Sequence, residues 1–252
     1  MKLKILTFNI RCDTHSDGIN YQQNRFGRIK ELLFSASPDI IGFQETKEMA
    51  RKWLNENLPN YTVLGCGRTQ GFKNEGVTMA FKRDLFDVVS FNTEWLSLEP
   101  EVPNSTYGGD QSIYPRVLQT ALLVPRDGSE AFVFANVHLD HIGKDARKLG
   151  AAQTLRRLLA KPYKFILTGD FNALPDDGSI ELITKCSVRS INDITASLGG
   201  TFHDYGRRTT PSKIDYIFTD FDSYENVHII EDKPVDGVYY SDHYAIAADI
   251  EI

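Results

Sequence analysis

Lys164-Phe165-Ile166-Leu167-Thr168-Gly169-Asp170-Phe171-Asn172-Ala173 sets an apolar, β-branched run directly against a glycine, an aspartate and an asparagine. Residues 164–168 read as a strand buried on both faces. The segment 169–173 is ambiguous alone, because Gly, Asp and Asn are also ordinary turn residues. Whether it is a turn or a site depends on how the other strands end.

Similar runs lie on either side, at 3–8, 39–43, 77–81, 118–124, 131–137, 214–218 and 244–250. Helical periodicity separates some of them. In 22–35, Phe26, Ile29 and Leu33 share a face, and in 144–160 Leu149, Ala152, Leu155 and Leu159 do. Strands and helices interleave without a linker, and 252 residues suit one large α/β domain, so a single domain spanning 1–252 is expected. The longest loop runs from Pro100 to Pro115; loops of that length are usually functional or mobile. Its Asn104-Ser105-Thr106 carries no weight as a glycosylation acceptor in a chain without a secretory signal.

Composition, 41% hydrophobic and 25% charged, is that of a folded globular protein. The 28 Lys and Arg against 34 Asp and Glu give a net charge of -6, which disfavours a general grip on nucleic acid. A bound divalent metal can still reverse the sign that a phosphate meets. Cys12, Cys66 and Cys186 are odd in number and far apart, so a reduced, cytoplasmic chain is expected. The start has no apolar run long enough for a signal peptide, and no stretch reaches transmembrane length.

The strand ends repeat the pattern of 164–173. The first ends in Asn9, the second in Gln44-Glu45, and the run from Phe132 in Asn136, His138 and Asp140; Asp215 lies in Ile214-Asp215-Tyr216-Ile217, and Ser241-Asp242-His243 precedes the last strand. Each has a bland account: Asn9 as a cap, Glu45 as a first-turn carboxylate, His138 as a hydrogen-bonded core histidine, Asp242-His243 as a cap. Packing alone does not require six strand ends to carry metal- or phosphate-compatible groups. In α/β folds such ends gather at one rim. Phosphoryl transfer needs just these parts: metal-binding oxygens, an oriented water and donors around the phosphate.

The set Thr7-Phe8-Asn9-Ile10-Arg11, Gln44-Glu45, Asn136-Val137-His138, Gly169-Asp170-Phe171-Asn172, Ile214-Asp215-Tyr216 and Ser241-Asp242-His243 resembles the endonuclease/exonuclease/phosphatase superfamily in order and spacing. The resemblance implies a four-layer α/β sandwich, two mixed β-sheets packed face to face with helices on the outer faces. It implies Mg²⁺, with Mn²⁺ as a substitute, held by Glu45 with Asn9 and Asp242 close by. It makes Asp170 the residue that orients or deprotonates water, Asn172 a phosphate contact, and His243, polarised by Asp215, either a base or a donor. His138 resembles a second phosphate donor. Arg116 in Tyr114-Pro115-Arg116 is expected to support the site or contact phosphate, and Glu75 to support it from behind. Arg11, Lys144 and Lys213 are further cations expected near the rim.

A serine hydrolase is excluded, since adjacent residues in Ser241-Asp242-His243 cannot form a relay and there is no GxSxG turn. A non-catalytic binding protein on the same fold is disfavoured because every expected ligand and base is present. Residues 75–86, Trp95-Leu96-Ser97, Tyr114-Pro115-Arg116 and His138-Leu139-Asp140-His141 together resemble compact bacterial members known as metal-dependent hydrolases. A small or terminal phosphoester is expected over nucleic acid, with abasic-site or exonuclease activity as the alternative, and no obligate protein partner.

Overall fold

The structure, a computed structural model, describes residues 1–252. The first half of the chain forms β1 (Lys2–Asn9), α1 (Gln22–Ala36), β2 (Ile40–Thr46), α2 (Glu48–Asn57), β3 (Tyr61–Gly65), β4 (Gly76–Lys82), β5 (Phe86–Trp95) and β6 (Val117–Pro125). Then come β7 (Phe132–His138), α3 (Lys144–Leu159), β8 (Lys164–Asp170), α4 (Gly178–Thr184), β9 (Asn192–Asp193), β10 (Asp215–Thr219), β11 (Ser223–Ile230) and β12 (Ala245–Glu251).

The strands make two six-stranded sheets, ordered β11-β12-β1-β2-β4-β3 and β5-β6-β7-β8-β10-β9. Each is mixed, with one parallel pair: β1 with β2, and β7 with β8. Alternation along the strands divides the apolar residues between two faces. In β1, Leu3 and Ile5 face the other sheet, with Phe132, Phe134, Ile166 and Ile217 opposite; Leu6 and Phe8 face Ile29, Leu33 and Leu54 of α1 and α2. In β8, Phe165 and Leu167 face Leu155, Leu158 and Ile180 of α3 and α4. The result is the expected four-layer sandwich.

One polar seam crosses the inter-sheet core. Asn136 Nδ2 donates to the carbonyls of Phe43 (2.8 Å) and Thr78 (3.1 Å) in the opposite sheet, while its Oδ1 accepts from Gln44 Nε2 (2.8 Å) and Thr168 Oγ1 (3.1 Å). Gly42 makes the close approach possible, since a Cβ there would lie 2.1 Å from Thr168 Oγ1. Gln44 and Asn136, grouped with the rim by sequence, therefore belong between the sheets.

All eight expected strands are present. The four not anticipated, β3, β5, β9 and β11, are the four sheet edges; lacking two-sided burial, they carry no apolar run to detect. On α3, Leu149 is 48% exposed, and the buried face runs instead through Gly150, Ala151, Leu155 and Leu158, because Gly150 sits against Leu139 and Leu96. The Pro100–Pro115 loop is tied down. Asp110 accepts from the amides of Asp145 (2.9 Å) and Ala146 (3.0 Å) at the start of α3, and Tyr107 donates to Gln153 (2.5 Å).

Removing the Asn136 side-chain amide leaves the buried Phe43 and Thr78 carbonyls of the opposite sheet without this donor, and Gln44 and Thr168 without this acceptor, at roughly 1–3 kcal/mol for each group left unsatisfied. Asn136→Ala is therefore expected to lower the unfolding free energy by about 3 kcal/mol in urea melts. A loss below about 1 kcal/mol would show that the seam is not a structural tie.

Candidate active site

The rim where β1, β2, β7 and β8 end opens into a cleft of about 820 Å³. Its centre is Asp170, 1% exposed at the end of β8. Oδ1 accepts from the Asn172 amide at 2.8 Å, and Oδ2 accepts from Asn9 Nδ2 at 2.9 Å. His138 Nε2 lies 3.5 Å and His243 Nε2 3.8 Å from Oδ2. Burial, then the nearby Asp215 charge, pushes the Asp170 carboxyl up to about 7.

Asp215 lies beneath the cleft and receives His243 Nδ1 at 2.8 Å and Thr201 Oγ1 at 2.5 Å on the same oxygen. Burial opposes a charge on His243, but Asp215 and Asp170 outweigh it and push the ring up to about 10. His138 moves the other way: burial, then the Arg116 charge, holds it well below the usual histidine range. A neutral His138 suits its contact with Asn172, whose Nδ2 stands 3.0 Å from Nε2.

Glu45 faces the cleft through a backbone irregularity. β2 changes register against β4 between Phe43 and Thr46, and Glu45 itself adopts φ 60°. Left-handed backbone costs a non-glycine residue about 1 kcal/mol or more and is found where the surroundings enforce it. Arg11 (φ 50°) and Asn172 (φ 49°) share that conformation. Glu45 accepts from Cys12 N (3.0 Å) and Asn9 Nδ2 (3.2 Å). Asn9 is thus a clasp between Glu45 and Asp170, its nitrogen turned to both carboxylates and its oxygen taken by the Arg11 amide at 2.9 Å.

Asp242 approaches Glu45 through Arg11, whose guanidinium lies 3.7 Å from Asp242 and 3.9 Å from Glu45. Two clusters have ligand atoms within 4.8 Å of one another: Cys12, Glu45 and Glu75, and Asp170, Asp215 and His243. Burial, opposed by His243 and reinforced by Glu45, leaves the Asp242 carboxyl above its usual range. Carboxylates so crowded and buried are hard oxygen donors whose mutual repulsion a divalent cation relieves, so the residues present fit such an ion.

The far wall holds Arg68, Tyr114, Arg116 and His141. Arg116, 4% exposed, contacts His141 Nδ1 at 2.9 Å, and its Nε and Nη1 have no hydrogen-bond partner in the chain. Glu75 pairs with Arg68 at 2.6 Å, behind His138. Two expected rim cations are elsewhere: Lys213 is buried and donates to the Thr195 carbonyl, and Lys144 begins α3 outside the cleft. Asp140 is also turned away, gripping the amides of Ser112, Ile142 and Gly143 (3.1, 3.0 and 2.8 Å).

A family model described as Endonuclease/Exonuclease/phosphatase family matches residues 6–243. The chain belongs to this family. Its members are phosphoester hydrolases. An endonuclease/exonuclease/phosphatase from Bacteroides vulgatus is 28% identical and superposes with a TM-score of 0.87, covering 100% of this chain and 99% of that one. A mannosyl-6-phosphatase from Bacteroides thetaiotaomicron is 27% identical, with a TM-score of 0.84 and coverage of 99% and 100%. An uncharacterized protein of Acanthamoeba polyphaga mimivirus is 24% identical over 235 residues, 86% of this chain and 87% of its own. No helix here is long and apolar enough to cross a membrane.

Sequence reasoning missed Arg68, Thr201, Phe202, Tyr205, Arg207 and Arg208. Adjacent arginines just before the matched Lys213-Ile214-Asp215 were the available signal for the last two; Thr201 offered none.

Asp140 sets how firmly the loop bearing Arg116 is held. Burial raises the cost of ionising it, but the Ser112 hydroxyl and the three amides outweigh that and hold the carboxyl at about 2. An unfolded aspartate titrates near 3.9, so this group stabilises the fold above about pH 4 and ceases to as pH falls through about 2. The melting-temperature gap between the native chain and Asp140→Asn should be largest near pH 6 and narrow towards about pH 3. A gap independent of pH would refute the assignment.

Proposed function

We propose that this protein is a Mg²⁺-dependent phosphoester hydrolase acting on a small or terminal phosphoester by attack of water. The observation that carries the reading is Asp170 Oδ2, which Asn9 holds at 2.9 Å while His138 and His243 face it at 3.5 and 3.8 Å. A carboxylate fixed by two amide donors and raised towards neutrality is suited to orient a water and accept its proton. His243, anchored by Asp215, presents Nε2 to the same place and can donate to a phosphoryl oxygen or move a proton. Asn172 orients His138, and both line the space where a phosphate would lie. Arg116, whose Nη1 has no partner in the chain, supplies positive potential on the far side. Glu45 and Asp242 would hold Mg²⁺, with Mn²⁺ able to substitute; the ion supplies charge neutralisation on the phosphate and lowers the cost of forming hydroxide from water.

The likeness to a mannosyl-6-phosphatase supports a small substrate, as does the net charge of -6. Few cleft cations are free to neutralise the many phosphates of a duplex.

Glu45→Gln should weaken Mn²⁺ binding, measured by calorimetry, together with turnover. Asp170→Asn should leave that binding largely intact while activity falls by roughly a hundredfold or more. A chelator should abolish turnover and added Mg²⁺ restore it. Unchanged turnover in either variant would sink the assignment of roles.

Across a panel of phosphoesters, small or terminal ones should exceed duplex DNA in kcat/KM, with a shallow salt dependence between about 50 and 200 mM. Efficient duplex cleavage with a steep loss on adding salt would put the nuclease reading first.

A further inference from the structure

Six lysine and arginine side chains line the cleft: Arg11, Lys47, Arg68, Arg116, Arg207 and Arg208. Five have a carboxylate of their own. Arg11 has Asp17 at 3.0 Å, Lys47 has Asp13 at 2.7 Å, Arg68 has Glu75 at 2.6 Å, Arg116 has Asp140 at 3.5 Å and Arg207 has Asp204 at 3.3 Å. Arg208 has none. Its Nη1 donates to Ser212 Oγ at 3.3 Å, and its guanidinium lies over the Phe202 ring, 4.6 Å from the centroid. Phe202 in turn packs on His243, with ring centroids 4.9 Å apart.

This column is rigid where it meets the site. Phe202 and Ser212 exchange backbone hydrogen bonds of 3.0 Å each, Tyr244 N donates to Thr201 O at 2.9 Å, and His203 N donates to Asp242 O at 2.9 Å. The hairpin that presents Arg208 is thus the one whose Thr201 hydroxyl holds Asp215. A guanidinium laid on an aromatic face keeps its edge donors for an acceptor in its own plane. Arg208 is exposed, so an anion can reach it, and its charge is not cancelled by a neighbour.

The geometry points to a substrate that carries, besides the scissile phosphate, a second anionic group held by Arg208 over the Phe202 ring that packs on His243. Arg208 is then a specificity-determining residue of the cleft, an inference that rests on the phosphoester reading above. The shared chemistry is a planar or tetrahedral set of anionic oxygens, supplied by a phosphate or a carboxylate.

Glucose 1-phosphate, glucose 1,6-bisphosphate and glucuronic acid 1-phosphate test this on one scaffold, since they differ only in a hydroxyl, phosphate or carboxylate at the far carbon. Binding to Asp170→Asn protein with Mg²⁺, which should turn them over roughly a hundredfold or more slowly, is measured by calorimetry. At least one anionic compound should bind about tenfold tighter than glucose 1-phosphate, the size of one charge-assisted contact. Which of the two gains identifies the group. Adding Arg208→Gln should erase the gain, Arg208→Lys should recover part of it, and salt should reduce it. Equal affinity for all three, or a gain that survives Arg208→Gln, overturns the inference. If the gain is present but wild-type protein with Mg²⁺ or Mn²⁺ hydrolyses none of the three or any other phosphoester, the subsite stands and the catalytic reading falls.

Discussion

The amide of Asn136, donating across the gap between the sheets to the carbonyls of Phe43 and Thr78, fixes the relative position on which the cleft depends. Phe43 is two residues before Glu45, and Asn136 is two residues before His138. A strand returns to the same face every second residue, so anchoring Asn136 sets where His138 emerges at the rim, while the anchored Phe43 carbonyl lies just before the register change that turns Glu45 to the cleft. Apolar packing between sheets is nearly indifferent to small slides, whereas a buried amide with both ends satisfied tolerates only one register. Asn9 then closes the rim, bridging Glu45 of one sheet and Asp170 of the other.

With the sheets so fixed, the site can hold charges that would otherwise separate. Asp170, Asp215 and Asp242 are each under 5% exposed and close together, stabilised by backbone amides, Asn9, Thr201 and the two histidines. The histidines differ because their neighbours do. His243 lies among carboxylates and is held charged, while His138 lies near Arg116 and Arg68 and is held neutral. One fold thereby gives two identical side chains opposite proton inventories on either side of one carboxylate.

The acidity of the chain acquires a local meaning in the cleft. Most of its cations are paired with its own carboxylates, which keeps the potential moderate and confines strong anion binding to a few points. Tracking along a polymer needs cations that neutralise many phosphates, and here most are already neutralised from within the chain.

The eight central strands could be read from the amino-acid order alone, because burial on both faces writes an apolar run. The residues that meet in and beneath the cleft could be read too, because polar residues at strand ends interrupt such runs with no packing reason. Glu45, Asp170, Asn172, Asp215 and His243 were legible in that way. The four edge strands emerged only in three dimensions, since one-sided exposure leaves them a mixed composition. So did the fate of Gln44, Asn136 and Asp140, which look like site residues but serve the seam and the loop, and the contacts of Asn9 and Arg208. Whether an amide clasps two carboxylates or faces a metal, and whether an arginine is paired or free, depends on residues as distant in sequence as Asp170 is from Asn9. Local spacing carries no record of such pairings, because they exist only once the two sheets have been brought face to face.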